Sequence, residues 1–386
     1  MIETSLPLIF LAGIIVLIFF GTGLTSLKLE ISSVLAFLLL GIGAGLIFDN
    51  LGGTLYYIAE IGIIFLFFVL GLEFPLRRML SISRKIWPAG MLDVLLNFGV
   101  GFLIALLFGL DWLTALLIGG IVYASSSSIT IKMLEEKKRL AAPESEFILA
   151  LLIFEDLVAP IMVSVLLVLH AGSQVTLGSF GGVILKILIF LAGSILIGTL
   201  VFRKLEDFVE RYLETDIMPL FAVGIALFYA GLAIYLGLSE VLGAFLAGVM
   251  LTETKRAKDM ERLVLPLRDL VLPFFFFWFG STIYVQEGLS LPGLLPALIA
   301  WSIGAKILVG VIGGRSYGLN RPRSLRAGLS LVQRGEFSAI IASLGLPHIR
   351  TFSGIYILCT AIIGMVFFNL APRWVPTKRK KETNPG

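Results

Sequence analysis

Cysteine occurs once, at Cys359, and histidine twice, at His170 and His348. A single thiol excludes an intramolecular disulfide framework and a multi-cysteine metal site. Both histidines fall near the ends of predicted helices, which argues against a histidine metal site and against an intramembrane Ser–His hydrolase. Charge is scarce too: Asp, Glu, Lys and Arg make up 15% of the chain, against about 25% in an ordinary soluble domain. No Gly-rich phosphate loop follows a predicted strand, so no nucleotide site and no bound cofactor is expected. The first apolar run, 5–24, lacks a charged n-region and a small-residue cleavage site, and it reads as a span rather than a leader.

What the sequence has in abundance is apolar surface. Hydrophobic residues are 58% of 386 and the mean hydropathy is +1.00. A soluble chain of this length could not bury so much, whereas a lipid bilayer solvates it. About twenty apolar residues cross the hydrocarbon core, and on that basis thirteen spans are expected: 5–24, 31–47, 53–72, 88–109, 113–133, 146–169, 177–202, 216–234, 238–252, 265–284, 291–313, 325–345 and 351–371. Loop charge tests the count. Twenty-five of the thirty Lys and Arg residues fall in every second connection or in the C-terminal tail, while the opposite loops hold Arg350 alone. By the positive-inside rule the N-terminus lies outside and the C-terminus in the cytoplasm of a cell (inner) membrane. The net charge of +4 belongs to these loops, and no nucleic-acid partner is expected.

Two segments repeat: 34-VLAFLLLG-41 and 241-VLGAFLAG-248, 207 positions apart. With one linker helix (177–202) between them, six-span units at about 5–169 and 216–371 would have opposite orientation, the inverted-repeat plan of many secondary transporters. The membrane domain then covers 1–376, and 377–386 is a short basic tail. The same shift carries the serine run Ser125-Ser126-Ser127-Ser128 onto Val332-Gln333-Arg334-Gly335. Paired polar interruptions at matching positions point to broken helices and a midplane binding site. The competing reading is that the serines merely let helices pack closely.

Ionisable residues at membrane depth need a partner or a function. Those here are Glu60, Asp93, Glu155, Asp156, Lys186, Glu240, Arg268, Asp269, Lys306, Arg334 and Glu336. Glu155 and Asp156 lie mid-span, with Pro160 one turn later weakening the helix. Adjacent helical residues are turned by about 100°, so one can face a cavity while the other meets a fixed partner. A proton and a small cation compete for the same carboxylate oxygens, with Ser126, Ser127, Thr130 and carbonyls of the broken helix completing the cation's coordination. Lys306 is the natural counter-charge. Arg334 and Glu336 read as a static ion pair supporting the second broken helix. Glu60, Lys186, Arg268 and Asp269 stay open between packing and gating.

The segments 59-AEIGIIFLFFVLGLEF-74, 124-ASSSSITIK-132, 143-PESEFILALLIFED-156, 240-EVLGAFLAGVML-251, 274-FFFFWFGSTI-283, 305-AKILV-309 and 331-LVQRGEFS-338 together resemble the cation:proton antiporters of the sodium/hydrogen exchanger superfamily, which include Kef-type potassium efflux proteins and NapA-type exchangers. The PESE…FED stretch is most similar to KhtU-type potassium/proton antiporters. The resemblance implies an all-α membrane protein with crossed broken helices, assembled as a homodimer. It implies potassium or sodium exchanged for protons at Asp156, with Lys306 as the neighbouring lysine. Glu155 stands where relatives vary between Asp, Asn and Gln, which leaves charge stoichiometry open. Kef proteins commonly carry a cytoplasmic nucleotide-binding domain; none is legible here, so nucleotide regulation would require a separate cytoplasmic subunit. An inverted-repeat carrier of an organic solute and a cation channel are the alternative functions.

Overall fold

The computed structural model of the chain describes residues 7–29, 31–46, 52–73, 76–171, 177–198, 200, 216–252, 254–283 and 293–376. Among the described residues every regular element is a helix. In chain order these are α1 (Leu8–Lys28), α2 (Ser33–Gly45), α3 (Gly52–Leu72), α4 (Leu76–Asp93), a π-helical turn (Val94–Gly99), α5 (Val100–Leu107), α6 (Trp112–Tyr123), α7 (Ser127–Glu136), α8 (Ser145–Ala171) and α9 (Leu177–Ile197). There follow α10 (Met218–Tyr235), α11 (Glu240–Leu251), α12 (Ala257–Ser281), α13 (Leu294–Tyr317), α14 (Arg321–Leu329), α15 (Glu336–Ser343) and α16 (Pro347–Trp374). Nine helical stretches among the described residues are long and apolar enough to cross a membrane, and Ser33–Gly45, Leu185–Ile197 and Glu240–Leu251 are shorter apolar helices. The basic tail 377–386 and the cationic Arg203, Lys204 and Arg211 lie outside the described residues.

Two expected spans are not continuous. The span at 113–133 is α6 and α7 with residues 124–126 extended between them, and the span at 325–345 is α14 and α15 separated by 330–335. Pro160, by contrast, sits inside α8 without interrupting it. Its ring removes a single ladder bond, the one to the Asp156 carbonyl. The span expected at 88–109 begins a dozen residues earlier, at Leu76, and it carries the π-helical turn that realigns its second half.

The chain divides into two compact units. The first takes Met1–Leu76, Val163–Leu289 and Ser343–Gly354. Within it α3 packs against α11 and α12, and α2 against α12. These contacts run backbone on backbone. A methyl group at Gly41 would strike the Phe277 carbonyl and one at Gly280 the Leu38 carbonyl; Gly71 and Gly248 block each other's neighbours in the same way, at Phe245 and Phe68. In a bilayer, where burial of apolar side chains gives little drive for helix association, small residues that let backbones approach supply the packing. Two charges assigned to this unit are peripheral: Arg268 and Asp269 pair with each other at 2.7 Å, with the Asp269 side chain 64% exposed. Lys186 donates to the Leu236 carbonyl at 3.5 Å from an exposed position.

The second unit takes Arg77–Met162, Ser290–Ala342 and Ile355–Gly386, and all the charged candidate residues near the interruptions belong to it. Its helices start where the sequence offers caps. Asp111 Oδ1 accepts from the amides of Leu113 and Thr114 at 3.1 Å each, opening α6. Asn320 Oδ1 accepts from Arg323 N at 3.1 Å, opening α14. Each cap satisfies an otherwise orphaned first-turn donor.

Candidate functional site

The two interruptions bond to each other. Breaking a helix strands amides and carbonyls that the membrane interior cannot hydrate, so each must find a protein partner. Ser126 N donates to the Gln333 carbonyl at 2.9 Å, and Ser125 Oγ donates to the Leu331 carbonyl at 2.8 Å. In return, Ser338 Oγ donates to the Ile121 carbonyl at 2.6 Å, and Arg334 Nε donates to the Val122 carbonyl at 2.8 Å. Gln333 Nε2 donates to Thr130 Oγ1 at 2.5 Å and to the Ser330 carbonyl at 2.9 Å.

Arg334 and Glu336 do not pair with one another, which corrects the sequence expectation. Arg334 is fully buried and spends its donors on Val122, on the carbonyls of Leu331 and Val332 at 3.3 Å each, and on Asn97 Oδ1 at 2.8 Å. Glu336 takes Ser126 Oγ at 2.7 Å, Ser127 Oγ at 2.9 Å, and Ser128 through both Oγ at 2.9 Å and N at 3.1 Å. The physical reason is local supply. Carbonyls released at the breaks call for the five-donor guanidinium, while the serine-rich first turn of α7 calls for an acceptor. Glu336 is also the first residue of α15, so its charge sits at two helix N-termini, where a carboxylate is favoured.

Ser126, Ser127 and Thr130 are therefore gathered at the break as expected, with their hydroxyls engaged. Ser126 and Ser127 hold Glu336. Thr130 Oγ1 donates to the Ser126 carbonyl at 2.7 Å while accepting from Gln333.

Behind the break lies a buried ionic group. Lys306 Nζ, on α13, reaches Asp93 Oδ1 at 2.7 Å and Glu155 Oε1 at 3.0 Å, and all three side chains are 0% exposed. Asn97 Nδ2 bonds the same Asp93 oxygen at 2.9 Å. Asn97 lies in the π-helical turn directly after Asp93; such turns often mark functional sites. Glu155 Oε2 accepts a short bond from the Ser125 amide, and Ser125 Oγ is 3.4 Å from Oε1. Glu155 is thus fixed at both oxygens, to the lysine and to the first interruption. Asp156, its neighbour on α8, is 5% exposed and makes no bond to Lys306. The adjacent acidic pair is split into one pinned carboxylate and one that is not on the lysine.

Asp93 was legible as a charge at membrane depth, but its place beside Lys306 was not. Asn97, Ser125 and Gln333 gave weaker signals: a lone amide in an apolar run, one serine of four, one polar residue of an interruption. The PESE motif has a separate role. Glu144 accepts from Arg139 at 3.4 Å and Arg326 at 2.8 Å, Ser145 Oγ donates to the Arg139 carbonyl at 2.6 Å, and Arg139 also reaches the Phe368 carbonyl at 3.1 Å. This closes the connection between α7 and α8 onto α14 and α16.

Buried carboxylates and a lysine beside paired helix breaks define a helical ion transporter, since intramembrane charge of this density serves an ion path. The chain belongs to the sodium/hydrogen exchanger family: the family model for sodium/hydrogen exchanger, transmembrane, matches residues 14–374. It is a multi-pass membrane antiporter of the cation/proton class, not an enzyme. It is 52% identical over 367 residues to the ammonium/H(+) antiporter subunit AmhT of Alkalihalophilus pseudofirmus, covering 95% of this chain and 94% of AmhT. To the K(+)/H(+) antiporter subunit KhtU of Bacillus subtilis it is 34% identical over 317 residues, covering 80% and 77%. The sodium proton antiporter MjNhaP1 from Methanocaldococcus jannaschii shares the fold, with a TM-score of 0.68 at 19% identity over 96% of this chain and 99% of that one.

Proposed function

We propose that the chain exchanges ammonium or potassium, with sodium as a further candidate cargo, for protons by alternating access at Asp156. The observation that carries this reading is that Glu155 is tied to Lys306 and the Ser125 amide and so serves as an anchor; Asp156, next to it on α8 and 5% exposed, is the carboxylate we assign to the cation and the proton. The names of AmhT and KhtU support ammonium and potassium as cargo. Both are called subunits, which supports a separate cytoplasmic regulatory partner; a homodimer in the cell membrane completes the proposed assembly.

Thirteen spans in two inverted repeats are supported by pairs of matching positions. Gly109 and Gly318, 209 apart, both have positive φ (84° and 108°), and each is followed two residues later by an N-cap, Asp111 and Asn320. Gly101 meets Gly119, and Gly310 meets Gly328, again 209 apart. In the first unit Gly41 meets Gly280 and Gly248 meets Gly71, so a shift of about that length exchanges the two contacts. The alternation of basic loops supports an external N-terminus and a cytoplasmic C-terminus.

The test is proton flux in proteoliposomes driven by gradients of ammonium, potassium, sodium or lithium. Coupled flux for ammonium or potassium is expected, with weaker response to lithium. Cation current without proton counter-flux would replace the exchanger with a channel, and no response to any of the four would remove the proposal.

A further inference from the structure

Asp93 shares Lys306 with Glu155 but is completed differently. Both oxygens of Glu155 receive protein donors, Lys306 on Oε1 and the Ser125 amide on Oε2. On Asp93, Oδ1 takes two donors, Lys306 at 2.7 Å and Asn97 at 2.9 Å, while Oδ2 is enclosed with no partner. The Tyr123 hydroxyl is enclosed and unpartnered too, and it feels the charges of Asp93, Glu155 and Asp156. A dry anionic oxygen is costly. A proton on Oδ2 removes the charge; the Tyr123 hydroxyl, both donor and acceptor, is not bonded to Oδ2 in this structure and would have to turn toward it to pass that proton on.

We propose that Asp93 is a second proton-carrying carboxylate of the exchange cycle, with the Tyr123 hydroxyl as its relay and Glu155 as the fixed anchor of Lys306. The inference rests on proton-coupled exchange at Asp156. The groups that set the balance are Asp93 beside the π-helical turn, Tyr123 on α6, Glu155 and Asp156 on α8, Lys306 on α13, and Arg334 in the second interruption, itself held on Asn97. With Asp93 protonated, Lys306 is neutralised by Glu155 alone. A cation arriving at Asp156 replaces the proton there, which leaves the charge at that position unchanged; the Asp93 proton leaves as a separate step through Tyr123, favoured by Lys306 at 2.7 Å, which pairs with the ionised carboxylate. Asp93 then becomes the second counter-charge of Lys306. Two protons leave for one cation, and the exchange responds to membrane potential.

The experiment counts protons released on potassium or ammonium binding to the purified full chain, by calorimetry in buffers of different ionisation enthalpy, alongside vesicle flux with and without an imposed potential. Asp93→Asn is expected to release one proton fewer per cation than the wild type and to lose the response to potential. An unchanged proton count and voltage response would overturn the inference while leaving exchange at Asp156 intact; a wild type that neither binds nor exchanges these cations would instead sink the exchange reading. Should Asp93→Asn not fold, infrared spectra of Asp156→Asn across pH decide. A titrating protonated-carboxyl band whose frequency moves in the additional Tyr123→Phe background supports Asp93 as carrier, and its absence overturns the proposal.

Discussion

Lys306 gives its hydrogen bonds to Asp93 and Glu155, at 2.7 and 3.0 Å, and none to Asp156, the residue that follows Glu155 on the same helix. The roughly 100° turn between neighbours on a helix is enough to give two adjacent carboxylates unrelated duties. Substitution should separate them. Asp156→Asn is expected to abolish cation-driven proton flux in vesicles while lowering stability less than loss of Lys306 does, since the ion pairs of Lys306 with Asp93 and Glu155 are kept. Melting in detergent and flux are measured on the same preparation; retained flux would move the shared site elsewhere.

Lys306 has the opposite profile. Its ammonium is the partner of two carboxylates at full burial, and removing one partner of a buried ionic group costs about 3–5 kcal/mol because the remainder is left uncompensated. Lys306→Ala should therefore lower the melting temperature well beyond the effect of Asp156→Asn. It should also alter the pH profile of any exchange that survives. A Lys306→Ala protein as stable as the wild type would mean that the carboxylates are rehydrated rather than held by the lysine.

Glu336 ties the start of α7 to the start of α15 through Ser126, Ser127 and Ser128. Glu336→Ala strands those donors, at a cost on the order of 1–3 kcal/mol for the group, and lets the first interruption drift. Glu336→Gln keeps one acceptor oxygen and should fall between. Thermal shifts ranked wild type, Gln, Ala would support the tie. Equal shifts for Gln and Ala would assign the effect to charge at the helix N-termini instead.

The all-helical, apolar character and the two interruptions were legible because they follow from rules that act on the chain locally: the length needed to cross hydrocarbon, and the polarity of Ser125–Ser128 and of Gln333 and Arg334. Who bonds to whom at the breaks was not. Arg334 and Glu336 are two residues apart and opposite in charge, so sequence alone pairs them. The fold sets Arg334 among carbonyls released by the other break and Glu336 among serines of α7, and these demands appear only when the two segments meet. Asn97 gave only a weak signal for the same reason. An amide in an apolar run has no meaning until Asp93, Arg334 and the π-helical turn are in place around it. Pro160 has the limited effect expected of it: a proline inside a long packed helix removes one bond without breaking the rod.

Asp111, in the connection ahead of α6, offers a prediction away from the ion site. Its carboxylate accepts from Leu113 and Thr114, and the Thr114 side-chain bond, followed by the backbone bonds of that first turn, holds its carboxyl below the usual carboxylate range against the opposing effect of its slight burial. Because the folded value is depressed, the stabilisation is present above the unfolded carboxylate value of about 3.9 and is lost as pH falls through the folded one. Asp111→Ala should cost about 0.5–2 kcal/mol at neutral pH, the ordinary worth of an N-cap, and much less in strong acid, where the wild type also loses its charged cap. Asp111→Asn should retain most of the stability at both, since Asn caps nearly as well. Melting curves of the three proteins at neutral and strongly acid pH check this, with vesicle exchange unchanged for all three. A neutral-pH loss absent in Asp111→Ala would mean that α6 is held in place from its far end instead, by Ser338 on the Ile121 carbonyl and Arg334 on the Val122 carbonyl.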